Sequence, residues 1–332
     1  MTNDNFSKEN GPASNVASSG LCANTTPDSS GAGAASNRLP SGAHDAMTHN
    51  ALSDVAVLLP AYNCQEDLER TLASFAEQAS VSVLIVDDGS TPPVAAPELP
   101  GMRIDVLRLT PNGGIERALA AGVEVLAARG VRYIARIDAG DLTVPARLET
   151  QRAWLEAHPR VGALGMRAQV VTRQGEPVFL LSVPTEPAQI RRLRFARNCF
   201  VHPAMMLRTE AVVAAGNYRA RYRAAEDLDL FLRIMKTYDC ANLPQTGLYY
   251  ELNEGGISAT RRRTQILSTL RLQLDYFEPG NPYYWAGLAK NLLHFVMPAG
   301  LQRGIKKRFY HSADRDSENH GDRRGDHHQP RP

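Results

Sequence analysis

The sequence predicts an α/β protein with a mostly parallel central sheet flanked by helices, and three observations predict it. From Val55 onward, short β-rich runs alternate with amphipathic helical stretches, the order that builds a helix-covered parallel sheet. Polar and acidic residues gather where those runs end, the edge at which open α/β sheets receive ligands. The chain ends differ in texture: 35 of the first 50 residues are Gly, Ser, Asn, Ala, Thr or Pro, too little apolar surface to offset ordering entropy.

Taken in order, Val55–Leu59 reads as a buried strand, Leu68, Leu72 and Phe75 fall on one helical face, and Val81–Val86 is a second strand. Ile104–Leu109 is a third strand, residues 114–128 an alanine-rich helix ending at Gly130, and Val131–Ile137 a fourth strand. Pro145 opens a helix through Trp154, and Gln174-Gly175 marks a hairpin between two β-like stretches. A helix beginning near Ala225 carries Leu228, Phe231, Leu232 and Met235 on one face, and 261–276 forms another. Beyond it, Leu288, Leu292 and Phe295 make one apolar stripe. Leu301, Ile305 and Phe309 make a second after Pro298, flanked by Arg303, Lys306, Lys307 and Arg308. Residues 51–276 are thus expected to fold as one domain, with 1–50 a disordered tail, 277–310 an amphipathic helical segment and 311–332 a disordered charged tail.

A net charge of +2 is too mild for a duplex nucleic-acid binder, so no nucleic-acid partner is expected. Cys22, Cys64, Cys199 and Cys240 are widely spaced and form no CxxC pair, so neither a zinc site nor a disulfide framework is indicated. No run of about 18 apolar residues spans a bilayer and no apolar signal region opens the chain; a cytoplasmic location is expected. The basic stretch 285–309 admits two readings, a peripheral helix on the cytoplasmic face of the inner membrane or a helix packed onto the domain.

Five clusters carry chemistry. Pro60, Ala61, Tyr62 and Asn63 follow the first strand and offer a rigid turn, an aromatic face for a nucleobase and an amide; the plainer reading is a simple Pro/Asn turn. Asp87 and Asp88, followed by Gly89-Ser90-Thr91, end the second strand. Their carboxylates suit ring N–H groups or ribose hydroxyls, or else shape an Asx turn. Arg136, Asp138, Gly140 and Asp141 end the fourth strand with two carboxylates three positions apart, hard ligands of the kind that hold Mg²⁺ or Mn²⁺ against a diphosphate; Asp141 also suits a helix cap. His202-Pro203 precedes Glu226-Asp227, where an acid at a helix start is either a general base kept ionised by the helix dipole or a cap. Arg261, Arg262 and Arg263, after Gly255-Gly256, match phosphate oxygens or form a solvated face.

Order and spacing together resemble the family 2 glycosyltransferases. VAVLLPAYN, LIVDDGST, NGGIERALAAG, YIARIDAGD, FVHPAMMLR and AAEDLDLFLRI occur in that family's order between Val55 and Tyr276. The resemblance implies a GT-A fold and an inverting transfer from a nucleoside diphosphate-sugar, UDP-linked, to a hydroxyl of a saccharide acceptor, a lipid-linked surface polysaccharide or lipopolysaccharide. By motif, Pro60, Tyr62 and Asp88 are implied uracil contacts, with Asp87 supporting the loop. Asp138 and Asp141 flank the metal-binding DxD region, and Asp227 is the acid that activates the acceptor, oriented by Glu226. Gly140 stands where the family usually carries the acid that touches the metal, so Asp138 or Asp141 reaches the cation, or Arg136 and Arg261 to Arg263 share its role, with His202 a further contact. Two rival readings are a non-catalytic nucleotide-sugar binding protein, which Asp227 argues against, and a sugar-phosphate nucleotidyltransferase, whose Gly-rich N-terminal loop is not found.

Overall fold

Strands that read as continuous apolar runs are buried on both faces, and they form the first half of the sheet. β1 (Val55–Ala61) pairs in parallel with β2 (Val81–Asp87) and β4 (Tyr133–Arg136), and β2 pairs in parallel with β3 (Met102–Arg108). The computed structural model describes residues 52–76, 80–251 and 262–297. The two expected tails, Cys22, the Gly255-Gly256 turn, Arg261 and the Leu301–Phe309 stripe lie outside these residues.

Period-two alternation sends the strand side chains to two cores. Val55, Val57 and Leu59 face one with Val83 and Ile85, while Ala56 and Leu58 face the other with Leu84 and Val86. The first core is closed by α1 (Gln65–Ala73), whose Leu68 and Leu72 are fully buried, and by α3 (Arg147–Ala157). Phe75 reaches that core from just past the end of α1. The second is closed by α2 (Ile115–Ala128) through Ala118, Leu119, Val123 and Leu126. Edge strand β3 mixes half-buried and exposed residues, with Arg103 exposed and ion-paired with the half-buried Asp105.

The rest of the sheet is mixed, and its order is β3-β2-β1-β4-β8-β6-β9-β5, with β7 beside β6. β6 (Val161–Val171) pairs in parallel with the long β9 (Asp239–Glu251), and in antiparallel fashion with β7 (Pro177–Leu181) and β8 (Met206–Arg208). The β6–β7 connection is the hairpin expected at Gln174-Gly175. β5 (Leu142–Thr143) adds two residues to the edge of β9. β9 carries Pro244 where its register against β6 slips, a position at which a missing N–H costs no ladder bond. Two short helices, α4 (Pro187–Leu193) and α5 (Thr209–Ala214), lie outside the sequence expectations; neither is long enough to show a period. The α3 helix starts after Ala146, not at Pro145, so Asp141 does not cap it.

α6 (Glu226–Ile234) buries Leu230, Phe231, Leu232 and Ile234. α7 (Arg262–Asp275) and α8 (Pro282–Val296) form a helical pair. α8 docks through Tyr284, Gly287 and Asn291 rather than through Leu292 and Phe295, which are exposed; Leu288 alone of the expected stripe packs inward. Leu272 of α7 and Tyr284 both belong to the second core, so the helical pair is continuous with the domain packing.

Candidate functional site

The carboxyl ends of β2, β1 and β4 lie side by side, which brings the first three clusters to one edge. Asn63, held at φ 51°, donates its N–H to Ser90 Oγ (2.9 Å) and accepts from the Thr91 N–H (2.8 Å), tying the loop after β1 to the loop after β2. Pro60 and Ala61 remain buried within β1, while Tyr62 is half-buried and Asn63 exposed at the rim.

The two acids after β2 divide their work. Asp87 is fully buried and accepts from the Ser90 N–H (2.8 Å), the Val94 N–H (3.2 Å) and Arg108 Nη1 (2.7 Å), which fixes the loop. Asp88 reaches across to the loop before α2 and accepts from the N–H groups of Gly113 (2.9 Å) and Gly114 (2.7 Å). Burial pushes its carboxyl up, and those two N–H groups pull it back toward ionisation. Each oxygen keeps a second lone pair for a ligand. Gly89 sits at φ 82° where a Cβ would come within 2.9 Å of the Asn112 nitrogen, so only glycine lets the loops approach this closely.

Two strand spacings from Asp88, about 10 Å, the turn after β4 is pinned to α1: the Gly140 N–H donates to Thr71 Oγ1 (2.8 Å) and the Thr143 N–H to Ser74 Oγ (3.1 Å). Cys64 feels the charges of both Asp87 and Asp138, a measure of how near the two turns lie. Asp138 is 25 % exposed and ion-paired with Arg136, while Asp141 is completely buried with neither oxygen hydrogen-bonded. Burial and the neighbouring Asp138 push Asp141 well above the carboxylate range, with Arg136 and Arg147 opposing. Burial lowers the Arg147 guanidinium to about 9, and it donates to the carbonyls of Arg136 (2.8 Å) and Met205 (3.3 Å).

Arg136 is the hub of the site. It is 1 % exposed, and its charge acts on Asp138, Asp141, Glu226, Asp227, His202 and Tyr218. His202 opens the single helical turn His202–Ala204 before β8, and its Nε2 lies 2.8 Å from the Tyr218 hydroxyl. Burial and then Arg136 press its imidazole well below its usual range, so it is neutral.

Glu226 and Asp227 stand in the first turn of α6. Burial, then the charges of Asp227 and Glu116, push Glu226 up to about 8, so at neutral pH it holds a proton. Burial also raises Asp227, but its Oδ1 accepts the Leu228 N–H (2.7 Å) and Arg136 lies near, both of which favour the carboxylate. Asp229 faces inward and is gripped by Arg219 (2.6 and 3.0 Å) and Arg233 (2.8 and 3.1 Å), which sets the rotation of α6 and thereby the position of Asp227.

Tyr62, Asp88 and Asp138 therefore share one edge of the sheet, and Asp227 lies near Asp138 and Arg136. Arg262 instead lies beside His294 of α8, and Arg263 is exposed on α7. Sequence reasoning missed Thr71, Arg147, Tyr218 and Asp229. The i,i+4 spacing of Asp229 and Arg233 was a usable signal, whereas Tyr218 sits in an irregular loop that carries none.

Among the described residues, no three His, Cys, Asp or Glu side chains gather as a metal-holding group. Asp138 alone has an exposed carboxylate in the β4 turn, and Mg²⁺ commonly takes one or two carboxylates together with substrate phosphates. A lone ligand of that kind fits; Asp141 is buried with neither oxygen hydrogen-bonded. Gly140 stands at φ 101°, a conformation that an aspartate would adopt only under strain.

Residues 56–214 match the family model described as glycosyl transferase family 2. This stretch is a family 2 glycosyltransferase domain. The chain is 28 % identical over 226 residues to the amylovoran biosynthesis glycosyltransferase AmsE of Erwinia amylovora, covering 65 % of this chain and 83 % of the relative. Its fold resembles TarS 1-349 of S. aureus in complex with UDP-GlcNAc, with a TM-score of 0.52 at 19 % identity over 72 % of this chain and 71 % of the other. It also resembles the mannosyltransferase PcManGT of Pyrobaculum calidifontis in complex with GDP-Man and Mn²⁺, with a TM-score of 0.51 at 18 % identity over 78 % of this chain and 82 % of the other. The glycosyltransferase has the GT-A fold. No helix among its described residues is long and apolar enough to cross a membrane.

Proposed function

We propose that the enzyme moves a sugar from a nucleoside diphosphate-sugar, UDP-linked, to a saccharide hydroxyl with inversion at the anomeric carbon. The observation that carries this reading is that Tyr62, Asp88 and Asp138 stand at the ends of neighbouring strands while the buried Arg136 lies near both Asp138 and Asp227. The base stacks on Tyr62, and the free lone pairs of Asp88 accept the ring N–H, with Pro60, Ala61, Asn63 and Asp87 holding the loops that frame them. The diphosphate lies toward Asp138 and Arg136.

The acceptor hydroxyl gives its proton to the Asp227 carboxylate as its oxygen bonds to the anomeric carbon. The bond from that carbon to the diphosphate breaks on the opposite face, and the nucleoside diphosphate leaves with the electron pair. Protonated Glu226 leaves Asp227 as the ionised member of the pair. Negative charge grows on the leaving group, and the fixed guanidinium of Arg136 faces the region where it develops. Mg²⁺ or Mn²⁺, when bound, would be held by Asp138 and supplies further neutralisation of the diphosphate; the Mn²⁺ recorded with the mannosyltransferase supports this.

The acceptor in this reading is a lipid-linked saccharide of a surface polysaccharide or lipopolysaccharide, met at the cytoplasmic face of the inner membrane. The name of the amylovoran relative supports the biosynthetic setting. A screen of nucleotides and nucleotide-sugars for protection against thermal unfolding, with and without Mn²⁺, tests the donor. UDP and one UDP-sugar are expected to raise Tm, and protection by GDP compounds alone would overturn the choice of nucleotide.

A further inference from the structure

Eight of the thirteen large apolar side chains exposed among the described residues lie between Leu267 and Val296. Leu267 and Leu274 recur at i, i+7 on α7, and Trp285, Leu292 and Val296 at i, i+7, i+11 on α8, so each helix carries an outward apolar stripe. Phe277, in the connection, sets its ring edge-on to Trp285 with centroids 6.0 Å apart. The opposite face of α8 is already used: Tyr284, Gly287 and Asn291 are buried against the domain. The helix packs onto the domain and, among the described residues, still presents an exposed apolar face.

Charge says what covers that face. Arg263 and Arg271 are exposed one helical turn to either side of Leu267. The acids nearby are engaged, Asp275 by Arg221 and Tyr222 and Glu278 by Arg194. In the sequence, residues 262–310 hold eight Lys or Arg against two acids, four of the eight following Pro298 and lying outside the described residues. An apolar strip with a tryptophan and a cationic border is the chemistry that seats in an anionic lipid surface.

The placement also ties this face to the reaction. Asp275, at the end of α7, accepts from Arg221 and Tyr222, and Tyr276 lies against Asp229; these are the loop before α6 and the helix that carries Asp227. We propose that the exposed face of α7 and α8 docks the enzyme on an anionic lipid bilayer, with the Asp227 end of the site held near that surface. The proposal rests on the transfer reading only in giving a lipid-borne acceptor its place.

Co-sedimentation of the full chain with vesicles of phosphatidylcholine, alone or mixed with phosphatidylglycerol, tests it. The full chain is expected to bind the mixed vesicles, to release in high salt, and to leave the neutral ones largely unbound. The triple substitution Trp285→Ser, Leu292→Ser and Val296→Ser is expected to weaken binding at least about tenfold while protection of the fold by UDP is unchanged. A full chain that ignores mixed vesicles overturns the proposal, as does a triple variant that binds like the parent. A dimer in solution that the same substitutions dissociate would also overturn it, assigning the face to a second copy. Because UDP protection is read separately, loss of vesicle binding and failure of the donor reading are distinct results.

Discussion

At the scale of single residues, the site is organised by one buried cation among acids of unequal burial. Arg136 lies near Asp138, Asp141, Glu226 and Asp227, and burial raises the last three against its charge. Glu226 gives the cleanest test. Its carboxyl is raised from 4.5 to about 8, so between those values the folded state keeps a proton that the unfolded chain has released. Stability contributed by Glu226 is therefore lost as pH rises through this window. Glu226→Gln, which mimics the protonated form, is expected to have a higher Tm than the parent at pH 8 and nearly the same Tm at pH 5. Parallel curves from pH 5 to 8 would remove the raised carboxyl. The strand-end acids were legible in the sequence because adjacent carboxylates at a sheet edge point to a ligand. How Asp87 and Asp88 share their work was not, since that depends on Arg108, Gly113 and Gly114 arriving from distant segments.

At the scale of elements, β1, β2 and β4 were readable because strands buried on both faces must be apolar throughout. The second half was hidden in part, for physical reasons. β5 and β8 are two and three residues long and β9 carries Pro244 at a register slip, whereas β6 and β7 showed as the β-like stretches on either side of Gln174-Gly175. The contact that sets α8 in place is equally invisible to periodicity: a Cβ on Gly287 would lie 1.9 Å from the Phe195 carbonyl oxygen, so the helix approaches the domain only because that atom is missing. Gly287→Ala is expected to push α8 outward at a cost of about 1–3 kcal/mol, seen as a lowered Tm. An unchanged Tm would mean that α8 is not seated as described.

At the scale of the whole molecule, the residues of the proposed site lie, among the described residues, on the sheet edge, α1, α2 and α6, and none of those named belongs to residues 1–50. Their composition, rich in small and polar residues, supplies no site chemistry. A chain lacking residues 1–50 is expected to show the same kcat/KM and the same protection by UDP as the full chain. A large loss of turnover in purified protein would contradict this.

The central claim is that nucleotide binding and proton removal are separate tasks, the first performed at the ends of β1 and β2 and the second at the start of α6. Measuring sugar transfer and UDP binding side by side on Asp227→Asn tests it most directly. The account predicts transfer reduced by about 10²–10⁴-fold with the Kd for UDP within about twofold of the parent. Comparable turnover in parent and variant, or a loss of transfer fully explained by lost UDP binding, would contradict it.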